Sequence, residues 1–182
     1  MPTATKEAIA NAVKTLLFEK KVKKLTVKDI VEESHMTRQT FYYHFEDIPD
    51  LLRWIFEQSM ERTMTEIFAQ KDGESALRYF FVLALSARPY VERTVNSNYG
   101  EEVKRLLREQ FYRFFMQAAR DKNLYPGLGA EEMEFVVRYH TGAIMNLLQN
   151  WTPRDTAQLD SMVRWVGLIL GGEIGVKPPA EE

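Results

Sequence analysis

Cysteine is absent from the 182 residues, and histidine occurs only three times. The first absence excludes disulfides and thiolate metal ligation, and it is compatible with a reducing cytoplasm, the compartment expected here. The second leaves His35, His44 and His140 with no partner histidine one helical turn away, so no metal and no other cofactor is expected. No apolar run approaches the roughly 18 residues of a membrane helix. The longest, Tyr79 to Leu85, suits a buried helix, and no membrane partner is expected. The N-terminus is polar and charged, so no secretory signal is expected either. Catalytic signatures are missing: there is no glycine-rich phosphate loop after a strand, no His-Glu-x-x-His and no nucleophile motif. Adjacent acids such as Glu101-Glu102 and Glu131-Glu132 point in different directions around a helix and read as solvated faces. The chain is therefore not expected to be an enzyme.

What is present is 45% hydrophobic content, enough for one substantial core and a smaller second one. The net charge of −2 hides an asymmetry. Residues 1–45 hold eight Lys/Arg against five Asp/Glu, while the remainder is acidic. Much of the positive charge is Lys20, Lys21, Lys23, Lys24 and Lys28. Lysines in a turn ordinarily serve solubility; beside a nucleic-acid motif they also suit backbone phosphates.

Such a motif occupies residues 26–45. Thr26 followed by Asp29 forms a capping box for a first short helix, and Thr37 stands at the N-cap of a second, after the turn Glu33-Ser34-His35-Met36. Val27, Ile30, Val31, Met36, Phe41 and Phe45 fall on one side at helical spacing, which turns Arg38, Gln39, Thr40, Tyr42, Tyr43 and His44 outward. A merely solvated face favours Lys, Glu and Ala. This set instead suits phosphates and base edges, as in a helix-turn-helix. Gln39 and Tyr42 are the expected base contacts, with Arg38 shared between base and phosphate. Thr26, Lys28, Thr37, Thr40, Tyr43 and His44 are the expected phosphate contacts, the two N-cap threonines serving also as caps.

The run Thr-Arg-Gln-Thr-Phe-Tyr-Tyr-His-Phe, preceded by Leu25-Thr26-Val27-Lys28-Asp29-Ile30-Val31 and followed by Asp50-Leu51-Leu52, resembles the N-terminal domain of the tetracycline-repressor (TetR) family. The likeness covers about residues 5–55 and is closest in kind to the branch containing activators of dihydroxyacetone-kinase operons. It implies a transcriptional regulator that binds a palindromic double-stranded DNA operator as a homodimer, is controlled by a small-molecule effector in its larger domain and acts as a repressor. The named branch implies an alternative, an activator controlled by a protein partner. Members often carry Lys three residues after the final Phe; here that position is Ile48, so the resemblance does not carry over a phosphate contact common in the family.

Breakers divide the rest into helices with no competing strand pattern, so the expected fold is all-α. Helices are expected over 5–19, 47–69, 74–87, 89–95, 100–122, 130–151 and 155–170, with a break at Arg88-Pro89. The expected domains are a DNA-binding domain over 1–47, a regulatory and dimerisation domain over 48–172, and a disordered tail over 173–182.

The larger domain is rich in aromatics and Met. These residues more often fill cores than bind ligands, but their number, with the resemblance, points to an effector pocket containing Met60, Met64, Phe81, Tyr90, Tyr99, Phe111, Phe115, Tyr139 and His140. The last two long helices carry apolar stripes that ordinarily serve an internal core. The resemblance implies instead a four-helix dimer interface, with Met133, Val137, Ile144, Leu148, Trp151, Leu159, Val163, Val166 and Leu170 as the expected contacts.

Overall fold

The computed structural model describes residues 2–172, and every regular element within them is helical, as expected. The tail expected over 173–182 lies outside the described residues. No helix of the described residues is long and apolar enough to cross a membrane.

Helix α1 (Pro2–Lys14) passes into a wider π-helical turn over Thr15–Glu19, closed by the Lys20 N–H donating to the Thr15 carbonyl at 3.0 Å. Ile9, Ala12, Val13, Leu16 and Leu17 are its buried stripe. Then come α2 (Val27–Glu33), α3 (Arg38–His44), α4 (Ile48–Phe68), α5 (Gly73–Val95), α6 (Gly100–Asp121), α7 (Ala130–Gln149), α8 (Pro153–Ala157) and α9 (Leu159–Leu170). Their starts follow from side chains that satisfy otherwise unpaired N–H groups. Asp47 accepts from the Asp50 N–H at 2.8 Å, Asp72 from Ser75 at 2.7 Å, and Thr152 from Asp155 at 3.3 Å. Just past the end of α6, Asn123 takes a left-handed φ of 47°, which lets the Leu124 N–H reach back to the Ala119 carbonyl at 3.0 Å.

The break expected at Arg88-Pro89 is corrected: α5 runs through Pro89 as one helix. A proline costs about 3 kcal/mol in a helix interior because it lacks the N–H and crowds the preceding turn. Packing on both sides outweighs this. Phe81 is buried before the proline, and after it buried Thr94 ties its hydroxyl to the Tyr90 carbonyl at 2.8 Å.

The chain packs as two compact units. Among the described residues, one holds 2–62 and 87–110, the other 63–86 and 111–172. The core of the first joins Ile9, Leu25, Ile30, Phe41 and Phe45 to Ile48, Leu51 and Leu52 of α4 and to Val103 and Leu106 of α6. A boundary after residue 47 would cut through this core. In the second unit, Phe80 lies 5.5 Å from each of Phe81, Phe114 and Phe115 between ring centres, and Phe81 lies 5.4 Å from Trp151.

Candidate nucleic-acid interface

Two threonines and one left-handed residue shape the segment from 26 to 45. Thr26 is extended; its hydroxyl accepts from the Asp29 N–H at 3.2 Å and donates to the Asp29 carboxylate at 2.6 Å. At the far end of α2, His35 takes a φ of 55°, and the Met36 N–H reaches back to the Val31 carbonyl at 2.9 Å, which closes the helix and turns the chain. Thr37 is extended and accepts from the Thr40 N–H at 3.0 Å, starting α3. The hydroxyl of Thr40 lies 2.9 Å from that of Thr37, so these two side chains hold each other.

Helix α3 is fixed by one face and open on the other. Phe41 is 0% exposed and packs with buried Phe45, over which Lys6 Nζ sits 5.0 Å from the ring centre. Tyr42 is 57% exposed and Tyr43 82%, although both are large and partly apolar. Lys28, Thr37, Arg38 and Gln39 are also exposed, while Thr26, Thr40 and His44 are half-buried. The His44 ring stands edge-on to Tyr43 at 4.9 Å. Lys28 makes only a loose 3.8 Å pair with Glu32 on its own helix. Lys20 is committed to the Glu33 carboxylate. Ile48 is 3% exposed, and its side chain joins the core of this unit.

A residue in the gap between the helices expected over 89–95 and 100–122 holds this segment from behind. Asn98, between α5 and α6, accepts from the Leu25 N–H at 2.8 Å and donates to the Leu25 carbonyl at 3.3 Å. Its own N–H donates to the Lys23 carbonyl at 3.2 Å. The loop stays tight because Gly100 approaches the Val95 carbonyl so closely that a Cβ would lie 2.0 Å from its oxygen. The sequence signal was a glycine two residues after an asparagine in a short interhelical loop.

The residues expected to form an effector pocket are divided between the two units, and within the second Phe81, Phe111 and Phe115 all pack against Phe80. Met60, Tyr90 and Tyr99 belong to the first unit, and Met64, Phe81, Phe111, Phe115, Tyr139 and His140 to the second. Tyr90 is exposed and packs edge-on against Phe18 at 4.8 Å. Tyr99 rests on the first core, where burial, followed by the nearby Asp47 and Tyr42, raises its phenol pKa. His140 stacks on Tyr125 at 6.0 Å, and burial lowers its pKa. Of the expected set, only Phe115 lines the cavity of about 680 Å³ in the second unit.

Among the residues expected to meet a second copy, Val137, Ile144, Trp151 and Val163 are buried within the chain itself. Trp151 also donates its indole N–H to Thr156 at 3.0 Å. Met133, Leu148, Leu159, Val166 and Leu170 are half-buried. The large apolar residues left open on these helices are Phe135 and Tyr139 of α7, 60% and 65% exposed, and Trp165 and Ile169 of α9. The pairs 135/139 and 165/169 are four residues apart, so each lies on one helical face. That spacing was the signal missed.

Residues 9–55 match the family described as bacterial regulatory proteins, tetR family. This segment is a TetR-family domain. Over 62 residues, the chain is 34% identical to the HTH-type dhaKLM operon transcriptional activator DhaS of Lactococcus lactis. The matched stretch covers 34% of this chain and 33% of that relative. Two solved structures share the fold. The dihydroxyacetone kinase operon activator DhaS aligns over 93% of this chain and 96% of its own, with a TM-score of 0.57 at 18% identity. A protein from Syntrophomonas wolfei described as a TetR-family transcriptional regulator aligns over 97% of this chain and all of its own, with a TM-score of 0.59 at 14% identity. The TetR-family domain contains Thr26, Thr37 and all of α3, and Asn98 lies beyond it.

Proposed function

We propose that this chain regulates transcription by binding operator DNA through α3, as a homodimer controlled through its second unit. The observation that carries this reading is the division of α3: Phe41 is locked in the core, while Arg38, Gln39, Tyr42 and Tyr43 stand free on the opposite side. Gln and Arg in the first turn of such a helix match the hydrogen-bonding edges of adenine and guanine. The TetR-family domain supports the same function. Enzymatic use of the aromatic residues is not supported by any relative or neighbour found.

A seven-residue reading helix reaches few base pairs, and a twofold dimer supplies the second half-site about one DNA turn, roughly 34 to 36 Å, away. The faces available for dimerisation are Phe135/Tyr139 and Trp165/Ile169, in place of the buried Val137, Ile144, Trp151 and Val163. Gly142 has nothing within 4 Å of its would-be Cβ, leaving room for another helix to come close. Exposed apolar clusters of this kind mark interaction sites. Tyr139→Glu with Trp165→Glu is expected to convert the dimer to monomer in sedimentation velocity. An unchanged sedimentation coefficient would remove these faces from the account.

Control by a small effector with repression as the outcome is the first regulatory reading. A second is favoured by the name of the relative, a transcriptional activator of an operon: activation under control of a protein partner. Transcription from the bound promoter, measured with the gene deleted and restored, separates them by sign.

A further inference from the structure

The second unit contains an open cavity of about 680 Å³, within the range of about 300 to 1,000 Å³ that accommodates small ligands. Its interior is an aromatic wall. Phe114 stacks on Phe68 at 5.7 Å and on Phe80 at 5.5 Å, with interplanar angles of 13° and 8°, so that α4, α5 and α6 each contribute one ring.

The rim is charged in a lopsided way. Asp72 is already occupied: it accepts from the Ser75 N–H at 2.7 Å to cap α5 and lies 3.6 Å from Lys71. These hydrogen bonds from Ser75, with Lys71, hold its carboxyl below the ordinary range. Glu74 sits in the first turn of α5, where an acid complements the helix dipole. Lys122, just past α6, and Arg164 of α9 also line the cavity, and among the described residues neither enters an ion pair. Two cations without counter-ions beside an aromatic interior call for a ligand that brings both apolar bulk and negative charge.

We propose that this cavity binds an amphipathic monoanion, an apolar body carrying one carboxylate. The body lies against Phe68, Phe80 and Phe114, and the carboxylate meets Lys122 and Arg164. A guanidinium is the better of the two anchors because its planar fork matches both carboxylate oxygens. A neutral ligand of the same shape leaves the cations unpaired, and an ammonium is repelled. This assignment supplies the chemical class of the effector and to that extent rests on the regulatory reading above.

The test is calorimetric titration of the full-length protein with octanoate and, separately, octan-1-ol. Octanoate is expected to bind at least about tenfold more tightly, a difference of about 1.4 kcal/mol. The double variant Lys122→Glu, Arg164→Glu is expected to lose that preference while still binding octan-1-ol. Gly167→Leu supplies a second check. The Gly167 Cβ would stand 3.8 Å from a Leu77 methyl, an ordinary contact, so a longer side chain there fills the cavity; binding of both probes is expected to fall. Equal affinity for the two probes, or no octanoate binding, overturns the assignment. Operator binding retained without octanoate binding overturns the cavity assignment alone. Octanoate binding by a protein with no specific DNA affinity supports the cavity and overturns the regulatory reading.

Discussion

Asn98 holds both polar groups of the Leu25 main chain, accepting from its N–H at 2.8 Å and donating to its carbonyl at 3.3 Å. Leu25 is buried and immediately precedes Thr26, the N-cap of α2. The α5–α6 loop thus fixes the point at which the chain enters the helix-turn-helix. An unmade hydrogen bond on a buried main-chain group costs about 1 to 3 kcal/mol, so Asn98→Ala is expected to lower unfolding stability by that amount. Asn98→Asp keeps the acceptor for the Leu25 N–H and loses the donor, so an intermediate loss is expected. Urea unfolding of the three proteins checks the order; equal stability of all three would show that the contact is idle.

The close approach at Gly100 makes a sharper demand. A Cβ there would sit 2.0 Å from the Val95 carbonyl oxygen, and main chain cannot yield as a flexible side chain does. Gly100→Ala is expected to displace the loop carrying Asn98 and to destabilise by more than the roughly 1 kcal/mol that a glycine-to-alanine change usually gains in a helix. A variant as stable as the parent would contradict the geometry.

Ile48 separates two readings of the start of α4. If its side chain faced DNA, Ile48→Lys would steepen the salt dependence of binding by about one unit per site. It is buried beside Leu51 and Leu52. Burying an unpaired ammonium is expected to cost about 3 kcal/mol or more of stability. The salt slope of whatever fraction remains folded is expected to stay as it was. Thermal unfolding together with affinity measured at two salt concentrations distinguishes the two.

His140 gives the second unit a pH dependence of known sign. Burial lowers its pKa below the ordinary 6.5, so the folded chain takes up this proton less readily than the unfolded chain. Its contribution to stability is present above about pH 6.5 and is lost as pH falls through the folded value. His140→Gln is expected to flatten the decline in stability between pH 7.5 and pH 5 without reversing it. A decline of unchanged steepness would place the titration elsewhere.

The helix-turn-helix was legible because its determinants are local. Thr26 and Thr37 each cap the helix that begins at the next residue by accepting from the N–H three residues ahead, and a threonine at such a boundary announces its bond from sequence alone. The exposed set on α3 followed from the burial of Phe41 and Phe45. The second unit was less legible for a physical reason. Helix α7 carries apolar residues on two faces, and periodicity does not say whether Val137 and Ile144 or Phe135 and Tyr139 turn inward. The aromatic composition indicated pocket-forming capacity but not membership: Tyr90 and Tyr99 pack in the first unit, whereas the rings lining the cavity include Phe68, Phe80 and Phe114. Pro89 was misread because a local breaker was outweighed by packing on both sides of it.

The central claim is that the free face of α3 reads DNA sequence, and footprinting the full-length protein on genomic fragments, with and without Gln39→Ala, tests it most directly. The account expects protected sites built of two related half-sites about 10 base pairs apart. It expects Gln39→Ala to relax preference at one position of each half-site by about 1 to 3 kcal/mol while leaving non-specific affinity nearly unchanged. Protection without sequence preference, or a preference identical in the parent and the variant, would contradict it.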